Sequence, residues 1–172
     1  MPDILRRLPT ALLLGGLTLG GQATAAETLI ERLETDHHTL RLERLATGLE
    51  HPWSLAFLPG GDILVSERPG RLARIDADGG ITRLDGVPEV STRGQGGLLD
   101  LALHPGFGSG EGEDDWLYFT WSQAGNGGSA TTLSRGRLSE DALEEVETLF
   151  VQDRFSAPGR HYGSPGCPTA PC

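Results

Sequence analysis

The composition of this 172-residue chain excludes several classes of protein. Its formal net charge is −10, and so acidic a chain is unsuited to non-specific binding of nucleic acid or anionic membranes, because that affinity comes from neutralising phosphates. The 25 glycines and 11 prolines indicate many turns rather than a few long helices. The 2 cysteines both lie near the C-terminal end, so no disulfide framework holds the body of the chain together.

The first 26 residues have the features of a secretory signal peptide. Arg6 and Arg7 form a basic start, an apolar run follows over Ala11–Leu19, and small residues end the segment at Ala23–Ala26. This order of charge, apolar core and small-residue cleavage site is typical of exported proteins. The apolar run is about half as long as a transmembrane helix requires. We therefore predict a periplasmic or secreted protein with no membrane span after signal removal; a buried core helix is the alternative.

Residues 27–38 are polar and of mixed charge, and we expect either a frayed helix or a lead-in arm there. His37 and His38 are adjacent, and neighbouring side chains on a strand point to opposite faces, so we do not interpret them as a metal pair. Thr39–Leu45 then alternates as a strand does, with two leucines on one face. The sequence thus predicts a lead-in over 27–38 and a folded domain that begins at residue 39.

Two sets of four apolar runs follow, and each run is a strand candidate bounded by turn residues. The first set is Trp53–Leu58, Ile63–Ser66, Leu72–Ile75 and Ile81–Leu84, and the second is Leu98–Leu103, Trp116–Ser122, Thr131–Arg137 and Val146–Gln152. Such spacing indicates antiparallel meanders. The second set repeats the first after about 45 residues, as four-stranded propeller blades do. We predict an all-β fold with a partial β-propeller over 39–164; a sandwich or barrel is the alternative.

The number of repeats predicts that the fold is incomplete in this chain. A propeller closes with about four to eight blades, whereas the sequence offers about two blades and the start of a third. Residues 165–172 are rich in proline, which cannot continue a central strand, and they contain Cys167 and Cys172. We expect an N-terminal fragment that ends in an aberrant tail after truncation or a frameshift. Assembly of several copies is the alternative.

Gln95 is the most unusual polar residue, because it lies among glycines directly before a buried-looking strand. Glycines allow a close backbone approach, and an amide there can donate and accept hydrogen bonds toward a ligand. A plain glycine-rich turn with a solvated glutamine is the alternative. His161 would open the third blade at an equivalent place, so we expect it to share a site with Gln95 and to act as a general base. His51 and His104 each adjoin a proline at a strand border, and we interpret both as structural.

Three segments together resemble the N-terminal part of the soluble, pyrroloquinoline-quinone (PQQ)-dependent sugar dehydrogenases, the glucose/sorbosone dehydrogenase family. They are Pro52–Pro59 with Glu67–Leu72, then Gly94–Asp100, and finally His161–Ser164. The resemblance runs from about Leu45 to Ser164. It implies a six-bladed propeller, export to the periplasm, PQQ over the channel mouth, and calcium. It also implies that a sugar substrate is oxidised at its anomeric carbon with hydride transfer to PQQ, and that a further electron acceptor follows.

The same resemblance assigns roles to two residues. His161 matches the family's base, which removes the proton from the anomeric hydroxyl, and Gln95 matches the glutamine beside cofactor and substrate. The chain departs from the family at Pro165, and the family's quinone-binding basic residues and calcium loops lie in later blades, so we expect the chain to be inactive by itself. A non-catalytic propeller module that binds carbohydrate or protein is the alternative. A calcium-dependent propeller lactonase, for which Asp100 is the one candidate ligand, ranks lower.

Overall fold

The computed structural model describes residues 26–109 and 114–162, and its regular structure is entirely β-strand. The strands are β1 Glu27–Glu34, β2 Thr39–Arg44, β3 Pro52–Phe57, β4 Ile63–Glu67, β5 Arg71–Ile75, β6 Ile81–Leu84, β7 Leu98–Leu103, β8 Trp116–Gly125, β9 Gly128–Leu138 and β10 Leu143–Val151. The predicted all-β class is therefore confirmed. Within the described ranges, no helix is long and apolar enough to cross a membrane. The predicted signal peptide and the tail at 165–172 lie outside these ranges, except for Ala26.

Two four-stranded antiparallel sheets follow chain order, β3-β4-β5-β6 and β7-β8-β9-β10. They correspond to the two predicted sets of strands. The main difference is the length of β8 and β9, which continue in register to the pair Gly125↔Gly128. The polar sequence after Ser122 reads as a loop, but Asn126 and Gly127 form a two-residue hairpin turn in which Gly127 takes φ +87°. This turn lets both strands extend beyond their apolar parts.

The segment before the first sheet forms a β-hairpin, so the frayed helix, one of the two alternatives for 27–38, is wrong. β1 pairs with β2 from Glu27↔Arg44 to Glu34↔Thr39. Its apolar residues pair across the strands, with Ile30 opposite Leu42 and Leu33 opposite Leu40. Cross-strand pairs of this kind stabilise a hairpin more than the weak helical propensity of a short polar segment does.

One apolar core takes members from both four-stranded sheets. Its buried residues are Leu64, Leu72 and Leu84 from the first sheet, and Leu98, Leu101, Leu117, Phe119, Trp121 and Leu143 from the second. The strand β7 packs against β3 and β4, so the leading strands of the two sheets are neighbours. Trp53, Leu55 and Phe57 alternate with the residues that face this core, and they are 54%, 54% and 70% exposed.

The position of the core predicts that replacing Phe119 and replacing Phe57 will have very different effects on the free energy of unfolding. Phe119→Ala removes a ring that is 2% exposed and should lower the free energy of unfolding by about 3–5 kcal/mol. Phe57→Ala removes the same atoms from a site that is 70% exposed and should cost no more than about 0.5 kcal/mol. Urea denaturation followed by tryptophan fluorescence measures both. Equal losses in the two variants would contradict a core placed between the sheets.

Candidate functional site

The structure brings Gln95 and His161 together although they are far apart in sequence. The main-chain N–H of Gln95 donates to the carbonyl of Gly159 at 2.8 Å. In return, the main-chain N–H of His161 donates to the side-chain Oε1 of Gln95 at 3.1 Å. The loop before β7 and the segment after β10 therefore share two hydrogen bonds. The two residues lie side by side as the sequence predicts, while their chemical roles remain predictions.

Two glycines allow this close approach. Gly94 has φ +62° and Gly159 has φ +63°, in the left-handed region where glycine carries no steric cost. A Cβ on Gly94 would lie 2.2 Å from the carbonyl oxygen of Gly159. The backbones at these two positions thus touch without a side chain between them, which places the side chain of Gln95 within reach of His161.

The second sheet holds the Gln95 loop in place through Ser122, a fully buried residue of β8. The hydroxyl of Ser122 donates to the carbonyl of Ser91 and accepts the main-chain N–H of Gly97 at 2.7 Å. The main chain of Ser122 also bonds both of these residues, with Ser91 as donor at 2.7 Å and Gly97 as acceptor at 3.0 Å. These contacts tie both ends of the loop to one residue of a central strand.

His161 is exposed and has φ +64°, which is uncommon for a residue with a side chain. The hydroxyl of the next residue, Tyr162, is hydrogen-bonded to that of the buried Ser129, so both sides of His161 are anchored. Among the residues that the structure describes, no hydrogen bond engages the imidazole of His161 or the Nε2 of Gln95. Within this part of the chain, the imidazole of His161 and the amide N–H₂ of Gln95 are both left without a hydrogen-bond partner.

Arginines surround this pair in an otherwise acidic chain. Arg68 donates from Nη1 to the carbonyls of Gly94 and Gly96 at 3.1 and 3.0 Å. Arg93 belongs to the Gln95 loop and lies against Gly159, and Arg160 directly precedes His161. In a chain with a formal net charge of −10, three arginines at or next to the two loops favour an anionic ligand over a cationic one.

A buried carboxylate lies directly beside Arg68. Glu67 is fully buried, and its Oε2 accepts Nε–H bonds from Arg71 at 3.0 Å and from Arg83 at 3.1 Å. The main-chain N–H of Glu50 also donates to Glu67. Burial by itself raises the pKa of Glu67, but the bonds from Arg71, Glu50 and Arg83 outweigh burial and lower its pKa to about 2. The hydrogen bonds that Arg71 donates to the carboxylates of Glu67 and Glu50 raise the pKa of Arg71 above its ordinary value.

The other residues singled out from the sequence lie in structural settings. His104 follows the far end of β7, where its Nδ1 accepts the N–H of Gly106 at 3.1 Å, and the carbonyl of His51 accepts the N–H of Arg68 at 3.0 Å. Asp100 accepts a 2.7 Å bond from the hydroxyl of Ser54, which joins β7 to β3. Across the described ranges, no group of three or more His, Cys, Asp or Glu residues is placed to hold a metal ion.

Sequence reasoning missed three residues that build this site, namely Arg68, Ser122 and Tyr162. Arg68 and Tyr162 both lie in segments that carry the family resemblance, but nothing in the sequence assigned either of them a role. Ser122 appears in the sequence as an ordinary strand residue, and its two partners are far from it along the chain. Side chains that hold distant loops leave no local pattern, so only the structure assigns them.

The two four-stranded sheets, with a polar site at the end of the molecule where β7 begins, define a protein of the β-propeller class. A family model, Glucose / Sorbosone dehydrogenase, matches residues 49–165. This chain belongs to the glucose/sorbosone dehydrogenase family. The predicted fold class and the predicted family are thereby confirmed.

Curated relatives and solved structures agree with this membership. The aldose sugar dehydrogenase YliI of Escherichia coli (strain K12) is 38% identical over 130 residues, which are 73% of this chain and 34% of that protein. The uncharacterized protein slr1608 of Synechocystis sp. is 36% identical over 159 residues, 86% of this chain and 37% of that protein. A glucose dehydrogenase crystal structure is 40% identical with a TM-score of 0.62, covering 67% of this chain and 34% of the other.

A PQQ-bound aldose sugar dehydrogenase from Streptomyces coelicolor is also similar. It is 37% identical with a TM-score of 0.55, and the match covers 64% of this chain and 33% of that structure. The chain thus spans 37% and 34% of the length of its two curated relatives.

The Glu67 cluster predicts a specific dependence of stability on pH. Because folding lowers the pKa of Glu67 from 4.5 to about 2, its contribution is fully present above pH 4.5 and is lost as the pH falls toward 2. A shift of this size corresponds to about 3 kcal/mol. Glu67→Gln should therefore lower the free energy of unfolding by about that amount at pH 7 and by much less near pH 2.

Urea denaturation between pH 2 and pH 7 measures this difference. Glu147→Gln is the matched control, because Glu147 pairs with Arg135 while 47% of its side chain is exposed; the expected loss is below about 1 kcal/mol at every pH. If Glu67→Gln cost the same at pH 2 and pH 7, the buried charge would not be the source of the effect.

The contact between Gly94 and Gly159 predicts that adding a single methyl group at position 94 would push the two loops apart. Gly94→Ala should speed amide hydrogen exchange at His161 by about five- to tenfold, the factor for losing one ordinary hydrogen bond. Gly127→Ala is the control, because Gly127 has φ +87° with no atom within 4 Å of an added Cβ. Both variants carry the backbone strain, and only Gly94→Ala adds the clash. Equal exchange at His161 in the two variants would show that the glycine contact does not position it.

Proposed function

We propose that this chain is part of an exported quinoprotein that oxidises a sugar at its anomeric carbon, with PQQ as the hydride acceptor. The observation that carries the proposal is the hydrogen-bonded pair of Gln95 and His161. The pair lies within the segment matched by the glucose/sorbosone dehydrogenase family. An aldose sugar dehydrogenase and a PQQ-bound form among the relatives support this chemistry.

His161 is proposed as the general base. Histidine is the side chain best suited to proton transfer near neutral pH, and this imidazole is exposed, with no hydrogen-bond partner among the described residues. It would accept the proton of the anomeric hydroxyl, which makes the neighbouring C–H a better hydride donor. The anchors on either side, Gln95 and Tyr162, would hold the imidazole in one place during this transfer.

Gln95 is proposed to face the cofactor and the sugar. Because its Oε1 accepts the N–H of His161, the orientation of its amide is fixed. The Nε2 group is then left to donate to a carbonyl or hydroxyl oxygen of the bound molecules. The same side chain would thereby hold the base and contact the reactants.

The residues around this pair fit an anionic quinone. PQQ carries carboxylates, and guanidinium groups to pair with them would come from Arg93, which lies against Gly159, and from Arg160, which precedes His161. When bound, PQQ supplies the electron-accepting group that takes the hydride. For calcium, the described part of the chain offers no group of ligands, and we assign no step to it. Export to the periplasm and a separate electron acceptor complete the proposal.

The decisive experiment uses the Escherichia coli relative as the source of the remaining protein. Residues 49–162 of this chain replace the corresponding segment of the aldose sugar dehydrogenase, and the chimaera is loaded with PQQ. We expect aldose-dependent reduction of a redox dye. His161→Ala should lower kcat by about 10²–10⁴-fold, the usual contribution of a general base, while PQQ binding persists.

His104→Ala is the matched control, because this histidine lies at the far end of β7 and bonds Gly106; its variant should keep the turnover of the parent. Undiminished turnover in His161→Ala would contradict the role of the base. A folded parent chimaera that binds carbohydrate without turnover would instead favour a non-catalytic binding module.

A further inference from the structure

Arg68 has no role in the reaction proposed above, yet it contacts the loop that carries Gln95 on both sides of that residue. We propose that Arg68 is a positioning residue, whose guanidinium group holds the backbone around Gln95 so that the Gln95 side chain reaches His161. The consequence for catalysis rests on the proposed function, whereas the consequence for loop geometry does not.

The contacts of the Arg68 side chain are directed at main-chain carbonyls. Its Nη1 donates to the carbonyl of Gly94 at 3.1 Å and to that of Gly96 at 3.0 Å. These are the residues immediately before and after Gln95. One charged nitrogen therefore bridges the carbonyl of the peptide group that precedes Gln95 and the carbonyl of the peptide group that follows Gly96. Hydrogen bonds from a charged donor are about twice as strong as neutral ones.

The main chain of Arg68 is itself held by hydrogen bonds, which fixes the point from which its side chain extends. Its N–H donates to the carbonyl of His51 at 3.0 Å, and its carbonyl accepts the N–H of Leu98 at 3.1 Å. The loop also presses against Arg68, because a Cβ on Gly97 would lie 2.0 Å from the Arg68 carbonyl oxygen. Arg68 therefore joins the end of β4, the start of β7 and the loop between β6 and β7.

The neighbouring ion cluster leaves Arg68 available for this role. Glu67 accepts hydrogen bonds from Arg71 and Arg83, and its side chain makes none with Arg68. A planar guanidinium is preorganised for two acceptors, whereas a lysine ammonium sits on a flexible stem. Lysine at this position should therefore hold the loop only in part.

The first test needs no catalytic activity and uses the full chain. Amide hydrogen exchange is measured at Gln95 and His161 in Arg68→Ala and Arg68→Lys. We expect exchange to rise about five- to tenfold in the alanine variant, and less in the lysine variant, as expected for losing one or two hydrogen bonds. If Arg68→Ala does not fold, Arg68→Lys carries the test, with an expected rise of at least about twofold.

The matched control is Arg74→Ala. Arg74 also donates to two backbone carbonyls, those of Glu140 and Ser139, both at 2.9 Å, but it does so away from the Gln95 loop. Its variant should leave exchange at Gln95 and His161 unchanged. Unchanged exchange at these two amides in folded Arg68 variants would overturn the proposal.

The second test uses the PQQ-loaded chimaera and separates positioning from direct contact. Arg68→Ala should lower kcat about tenfold or more, with little change in KM or PQQ affinity, and guanidinium in solution should restore part of kcat. Loss of PQQ affinity with normal exchange at His161 would mean that Arg68 contacts the cofactor directly, which overturns positioning. An inactive parent chimaera would count against the proposed function, and the exchange experiment would still decide the role of Arg68.

Discussion

The placement of β7 against the first sheet is the constraint on which the rest of the structure depends. Polar contacts to the first sheet follow the first half of β7. The Leu98 N–H donates to the Arg68 carbonyl at 3.1 Å, and the Ser54 hydroxyl donates to Asp100 at 2.7 Å. The hydroxyl of Ser66 bonds the carbonyl of Leu99 between them. Because a shift of register would leave these buried polar groups unsatisfied, the start of β7 must lie beside the end of β4. The Gln95 loop precedes β7, so its position follows from the same contacts.

Ion pairs stabilise the place where the end of β4 meets the start of β7. The buried carboxylate of Glu67 would be costly alone, but Arg71 and Arg83 satisfy it. Their pairing leaves the adjacent Arg68 directed at the loop. In a chain with a net charge of −10, Arg68 and Arg93 thus contact the glycines beside Gln95 and His161, where an anionic cofactor is proposed to bind.

The sequence predicted the strands of both sheets because alternating apolar residues and turn residues are local signals. It failed at β1, where Leu29, Ile30 and Leu33 have the spacing of a helix face. In the structure, shifts of register between Thr28 and Ile30 and between Ile30 and Leu33 let this spacing pair as a strand. Gln95 was singled out by its glycine-rich surroundings and His161 by its place at the start of a third blade, and the family resemblance then implied their roles. Arg68 was not singled out, because its function depends on carbonyls of a loop that only the tertiary fold brings near.

The pair formed by Gln95 and His161 behaves as one unit rather than as two separate groups. A histidine with φ +64° keeps this uncommon conformation only where its surroundings compensate for the strain, and the bond from its N–H to Gln95 Oε1 is part of that compensation. Removing the Gln95 side chain would therefore release the His161 backbone as well as remove a contact to the cofactor. Effects of substitutions at the two positions should not add. Loss of activity on changing Gln95 would accordingly measure the positioning of the base together with any contact that the glutamine makes to bound molecules.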